Sequence, residues 1–229
     1  MKTLDRAFEL ACAMTDIGRR AGKSVAAVIT SMEQPLGSNI GGNLEIEGVL
    51  EVLRGAENDL CAVSSKLTGT AYCMYLERVS NKKLSESERN RAFKEAADCI
   101  GDGRAYKKLQ EIIAAHGGEF TDKFDCAKYS AAAVSEKTGY ITAVDAEKLG
   151  LINVALGGGR KKKGDIINHR AGLKLYARLN SRVIKGDTLA ILFSDDETAL
   201  SEVAKSAAVA FTVGNEKIKL PELIVGGAF

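Results

Sequence analysis

One stretch constrains the chain more than any other: Gln34-Pro35-Leu36-Gly37-Ser38-Asn39-Ile40-Gly41-Gly42-Asn43-Leu44-Glu45. An apolar run, Ser24 to Ile29, precedes it, and an amphipathic run, Glu45 to Leu53, follows. Strand, glycine-rich loop and helix start, in that order, place the loop where open α/β sheets bind ligands, at the carboxyl ends of their strands. The run 24–29 does not alternate with polar residues, so it reads as a strand buried on both faces. Upstream, Lys2 to Arg20 reads as an amphipathic helix with Leu4, Ala7, Phe8, Ala11, Met14 and Gly18 on one face. Helix then strand is half of a parallel βαβ unit, yet no second strand of that type follows in the first half of the chain. A lone strand cannot hide its edges, which implies a partial parallel sheet that something further completes.

Helices dominate up to residue 118. Asn43 can cap one that ends at Gly55, and Glu57 to Glu77 forms a second. Ser85-Glu86-Ser87-Glu88 is a capping box for a third, which breaks at Gly101-Asp102-Gly103. A fourth runs to about Ala115 and stops at Gly117-Gly118. Residues 119–133 read as a polar connection without a period. From Ser135 onward β-branched residues and glycine turns take over, with strands expected near 139–144, 165–167, 172–177, 182–184, 188–193 and 223–225, and helices over 145–156 and 196–211. The domain change therefore falls near residue 130: an α/β fragment over 1–130 and a small α+β domain over 131–229. Val183-Ile184-Lys185-Gly186-Asp187-Thr188-Leu189 resembles the turn of biotinyl and lipoyl carrier domains, which implies a barrel-sandwich shape for the second domain.

Composition excludes several function classes. A net charge of +2 over 229 residues gives no electrostatic case for nucleic acid or a membrane surface. No apolar run approaches the roughly 18 residues of a membrane span. The five cysteines form no C-x-x-C pair and read as reduced thiols of a cytoplasmic protein, and two distant histidines make a zinc site a poor fit. Gly22-Lys23-Ser24 is not a P-loop, because Ile17 stands where that motif needs glycine and the strand follows rather than precedes it. Gly157-Gly158-Gly159-Arg160 reads either as a phosphate cradle or, more commonly for three glycines, as a helix stop. Chemistry alone names no reaction.

The wording of the motifs goes further. Ile17-Gly18-Arg19-Arg20, Ala26-Ala27-Val28-Ile29-Thr30, Gln34-Pro35-Leu36-Gly37, Leu44-Glu45, Leu53-Arg54-Gly55, Leu156-Gly157-Gly158-Gly159-Arg160 and Lys185-Gly186-Asp187 together resemble the thymidine and pyrimidine-nucleoside phosphorylases, along essentially the whole chain. The resemblance implies phosphorolysis: a pyrimidine nucleoside and inorganic phosphate, the co-substrate, give a free base and (deoxy)ribose 1-phosphate, without an organic cofactor. It implies that this chain is the C-terminal part of such an enzyme, that it holds no catalytic residue of its own, and that it is inactive alone. A separate N-terminal half or a homo-oligomer would be its partner; a non-catalytic, partner-binding role or a related phosphorylase for another nucleoside or nucleotide are the alternatives. By the same resemblance Met1, Thr30, Ser31 and Met32 line the nucleoside cleft. Main-chain oxygens of Leu36 and Asn39, with Glu47, would hold a potassium ion, although the family's glutamate position is Gly48 here and Ser31 replaces a common aspartate.

Overall fold

A computed structural model describes Met1 and residues 3–228; Lys2, where the first expected helix begins, lies outside them. Seven α-helices and nine strands follow one another among the described residues. The chain forms two compact units: Met1–Ser31 with Val52–Gly118 and Glu222–Phe229, and Met32–Glu51 with Glu119–Pro221. This partition is not the linear one at residue 130.

In the first unit, α1 (Leu4–Arg20) is capped by Thr3, whose hydroxyl accepts from the Arg6 amide, with Asp5 in its first turn and Arg19 and Arg20 in its last. Strand β1 (Ala27–Thr30) follows. Its partner is β9 (Ile224–Ala228), at the other end of the chain, and the pair is antiparallel. Gly226 makes room for this, since a methyl group there would fall 2.8 Å from Phe8 Cζ of α1. The expected parallel sheet is therefore absent among the described residues, where every pairing is antiparallel. β1 is also mostly half-buried rather than buried on both faces. Helix order alone could not reveal a pairing with residues 224–228.

The remaining helices of this unit start and stop where local signals place them. Helix α3 (Asp59–Ser80) is capped by Asn58 and closed by Asn81 in the left-handed region. Helix α4 (Glu86–Gly101) has the reciprocal Ser85–Glu88 capping box. Helix α5 (Arg104–Ala115) ends before Gly117, φ +77°. Helix α2 (Gly42–Leu53) contains the division between the units, between Glu51 and Val52.

The second unit is the β-rich one. A four-stranded antiparallel sheet has the order β2 (Asn39–Ile40), β5 (Gly172–Leu175), β7 (Thr188–Ser194), β3 (Tyr129–Val134). A three-stranded sheet has the order β6 (Arg182–Val183), β4 (Gly139–Val144), β8 (Phe211–Gly214). Neither closes on itself, so the barrel-sandwich expectation is overturned: β2 and β3 end one sheet, β6 and β8 the other. The carrier-like turn at Lys185–Asp187 is real, with Gly186 at φ +97° and the Asp187 carboxylate accepting from the Ile184 amide at 2.9 Å. It joins β6 to β7, which belong to different sheets, so turn chemistry did not carry the architecture with it. Helices α6 (Ala146–Asn153) and α7 (Glu197–Ala208) complete the unit, capped by Asp145 and Asp196. Their apolar faces, with Ile141, Leu149, Leu173 and Leu192, form one continuous buried core.

Candidate functional site

The glycine-rich stretch is pinned along its length to residues 169–179 of the second unit. The Arg178 guanidinium donates to the carbonyls of Pro35, at 2.9 Å, and Gly37. Main-chain amides continue the contact, Leu175 to Ser38 O at 2.7 Å and Leu179 to Gln34 Oε1 at 3.1 Å. Beyond these, β2 pairs with β5, Asn39 opposite Lys174. Gly41 and Gly42 then pass against another backbone. A methyl group at Gly41, where φ is +103°, would fall 2.6 Å from Ala171 O, and one at Gly42 would fall 2.7 Å from His169 Cα. The Asn43 amide donates to His169 O at 2.8 Å, and Glu45 reaches back to accept from the Gly41 amide at 2.9 Å. The glycines thus serve backbone-to-backbone packing, and the loop carbonyls 35, 37 and 38 are already engaged.

The residues read as lining the nucleoside cleft are placed as follows. Thr30 ends β1, half-buried, and the amide of Ser31, the next residue, donates to Leu223 O at 2.9 Å. Met1 and Met32 are exposed. Met1, Thr30 and Ser31 belong to the first unit and Met32 to the second. Among the described residues no group of three or more acidic, histidine or cysteine side chains is arranged to hold a metal.

The potassium set can be tested on two features. Asn39 is 8% exposed; its Nδ2 donates to Leu44 O at 2.8 Å, and its Oδ1 is buried without a hydrogen-bond partner. That orphaned amide oxygen is a buried, neutral acceptor. The carboxylate does not fit equally well. Gly48 is the α2 residue that faces Asn39, its missing Cβ 3.4 Å from Asn39 Nδ2. Glu47 is turned about 100° away around the helix. Position 48 therefore offers Asn39 no carboxylate.

The stretch after α6 resolves the three-glycine motif. Residues 154–158 make a wide helical turn that breaks at Gly157, φ +99°. The amides of Lys161 and Lys162 donate to Asp165 Oδ2 at 3.0 and 2.9 Å, and Arg160 Nε to Asp165 O at 3.3 Å. The positive φ at Gly157 ends the helical turn, as the helix-stop reading expects, and the Asp165 carboxylate caps the amides just beyond the glycines. Residues 165–167, expected as a strand, are part of the loop that follows. Asn168 returns to the turn, its amide donating to Gly157 O at 2.9 Å and its side chain to Asp195 Oδ2 at 2.9 Å. Asp195 also accepts from the Lys128 amide at 2.8 Å and from Arg170 at 2.6 Å. These bonds, led by the Lys128 amide, hold its carboxyl below the usual carboxylate range. Nothing in the sequence singled out Asp195, because its partners come from two distant segments, Lys128 and the loop holding Asn168 and Arg170.

Comparison with known proteins gives this geometry its context. The family model described as "Pyrimidine nucleoside phosphorylase C-terminal domain" matches residues 140–214. Curated relatives named "Pyrimidine-nucleoside phosphorylase" include one from Staphylococcus epidermidis strain ATCC 12228, 32% identical over 195 residues, covering 82% of this chain and 43% of the relative. The Geobacillus stearothermophilus protein is 32% identical over 206 residues, 86% and 45% of the two chains. One from Staphylococcus aureus strain USA300 is 29% identical over 230 residues, 98% and 51%. The chain spans about half the length of these curated relatives. It belongs to the pyrimidine-nucleoside phosphorylase family and corresponds to the C-terminal part of its members.

Proposed function

We propose that this chain supplies the C-terminal part of an enzyme that exchanges the base of a pyrimidine nucleoside for inorganic phosphate. The similarity to pyrimidine-nucleoside phosphorylases over 82–98% of the chain carries this reading. Phosphorolysis must hold one anion and stabilise negative charge growing on the departing base. Thr30 and Ser31, which we place beside the nucleoside with Met1 and Met32, carry no charge for either task. The charged groups therefore come from a further polypeptide segment, and this chain alone does not turn over nucleoside. Two features of the first unit support a completing segment. Leu10, Met14 and Ile17 form an exposed apolar stripe at helical spacing on α1, and β1 is paired along one edge only among the described residues. Potassium, in this reading, rests on the neutral oxygens of Leu36 and Asn39 and supplies positive charge and loop order.

No helix among the described residues is long and apolar enough to cross a membrane. All five cysteines are free thiols, which suits the reducing cytoplasm where we place the enzyme. The exposed α1 stripe also favours a second reading, a non-catalytic chain that binds a partner. One assay separates the two. Phosphate-dependent release of uracil from uridine and thymine from thymidine is measured with this chain alone, and with the N-terminal half of the Geobacillus stearothermophilus enzyme added. Release only from the mixture is expected. Release by the chain alone would refute the need for a completing segment, and silence from a folded mixture would leave the partner-binding reading.

A further inference from the structure

The first unit contains a cleft of about 890 Å³ that none of the nucleoside-cleft or potassium positions line. Its walls follow from helical spacing. Lys66, Thr70, Met74 and Glu77 run down one face of α3 towards its cap Asn81, and Glu86, Arg89, Asn90 and Phe93 down the facing side of α4. The end of α1, through Arg19, and the segment Lys23–Ala26 before β1 form the third wall. Gly69 lets the helices close up, because Phe93 packs where its Cβ would stand.

The charge in this cleft is out of proportion to the chain. Seven cationic side chains line it against two carboxylates, Glu77 and Glu86, whereas the whole protein carries a net charge of +2. Glu77 is committed to Arg89 and to Lys83, the latter at 3.5 Å, and also accepts from the Leu84 amide at 3.2 Å. Arg19 pairs with Asp16 at 3.4 Å, and Lys66 lies over the Phe93 ring, 4.8 Å from its centroid. Lys23, Arg78 and Lys82 make no ion pair among the described residues. Part of the excess answers helix polarity, since α1 and α3 both end here, and each C-terminus carries only about half a negative charge. Two such ends offset one cation and leave the cleft strongly positive. Its volume lies in the range of small-molecule sites, roughly 300–1,000 Å³. A concave basic surface of this size selects a compact multivalent anion more than an extended polyanion. Phe93 packs against Gly69 and carries Lys66 over its ring, so its ring is already engaged by protein groups.

We propose that this cleft binds a small polyphosphate group, free or as the tail of a nucleotide, at a site separate from the nucleoside. Lys23, Arg78 and Lys82 would supply the charge-assisted hydrogen bonds, with Asn81 and Asn90 as neutral donors.

The test is calorimetric titration of the intact 229-residue chain with inorganic tripolyphosphate, a nucleoside triphosphate and an uncharged nucleoside at fixed ionic strength. The two phosphate ligands should saturate one site with similar affinity, and the nucleoside should not bind there. The double variant R78E/K82E should bind tripolyphosphate roughly tenfold more weakly or worse, given about 1.5 kcal/mol or more for each charged hydrogen bond lost. The control variant K161E/K162E, on the basic loop of the other unit, should bind as the parent does. Both variants change exposed side chains, and thermal melts confirm that they fold. Unsaturable binding, equal weakening by the two double variants, or triphosphate binding without tripolyphosphate binding would each overturn the proposal.

Discussion

The two units differ in how each buries its apolar side chains. In the second, Ile141, Leu149, Leu173 and Leu192 are wholly enclosed, and the buried cluster around them is continuous from Ala133 to Phe211. In the first, the buried apolar residues are fewer (Ala11, Ile29, Val52, Val63, Cys73, Ala92, Ala96 and Ile100), and half of them are alanine or cysteine, while Met14 is 58% and Ile17 68% exposed on α1. A sheet covered by two helices forms a core of its own. Helices around a two-stranded ribbon leave large residues outside. The second unit therefore has what it needs to be stable within this chain, whereas the first has surface still to cover.

The sharpest way to break this contrast is a pair of truncations. Leu192→Ala should cost roughly 2–5 kcal/mol in a urea melt, the usual penalty for a cavity in a closed core. Met14→Ala, of similar size, should change stability by no more than about 0.5 kcal/mol, as exposed positions do. Equal losses would mean that α1 is buried in solution and the contrast false. A smaller effect probes the glycine strap. Gly42→Ala must displace the His169 backbone, and should destabilise by roughly 1–3 kcal/mol, with faster amide exchange over residues 38–44 and 169–175. Unchanged exchange would show that the close approach carries no load.

The smallest effect concerns Asp195, which ties Lys128, Asn168 and Arg170 together. Its folded-state pKa is lowered, so the stability it adds is fully present above the unfolded value of about 3.9 and disappears as pH falls through the lower folded value. Asp195→Asn should lower stability at neutral pH and flatten the acid limb below about pH 4, so that the two proteins converge in acid. An unaltered acid limb would remove Asp195 from the set of groups that hold the second unit.

What could be read from the sequence follows the range of the forces involved. Helices α1 to α5 were legible because their signals are local: the apolar periodicity, Ser85 with Glu88, and the glycine stops all act within a turn or two, although Asn58, the cap of α3, was not read. β4 was found over its full length, 139–144, from its β-branched run. β3 was missed, because Tyr129-Ser130-Ala131-Ala132-Ala133-Val134 holds small residues at a sheet edge and offers neither alternation nor bulk. The parallel sheet and the barrel-sandwich were misread for a common reason: both depend on which distant strand pairs with which, and β1 with β9 is a pairing that no short window contains. The organising stretch was legible as a special loop, though its glycines answer to His169 and Ala171 rather than to a ligand.

The polypeptide passes from one unit to the other at residues 31/32, 51/52, 118/119 and 221/222. Heredity feels this differently from folding. A gene fusion, a reading frame cut or a single crossover near residue 130 would carry away neither unit intact, because each is written in interleaved pieces. To trade one unit for a foreign version, a lineage would need four exchanges in register. The two units are therefore bound to descend together, and a protease that nicks any one connection leaves both halves still joined.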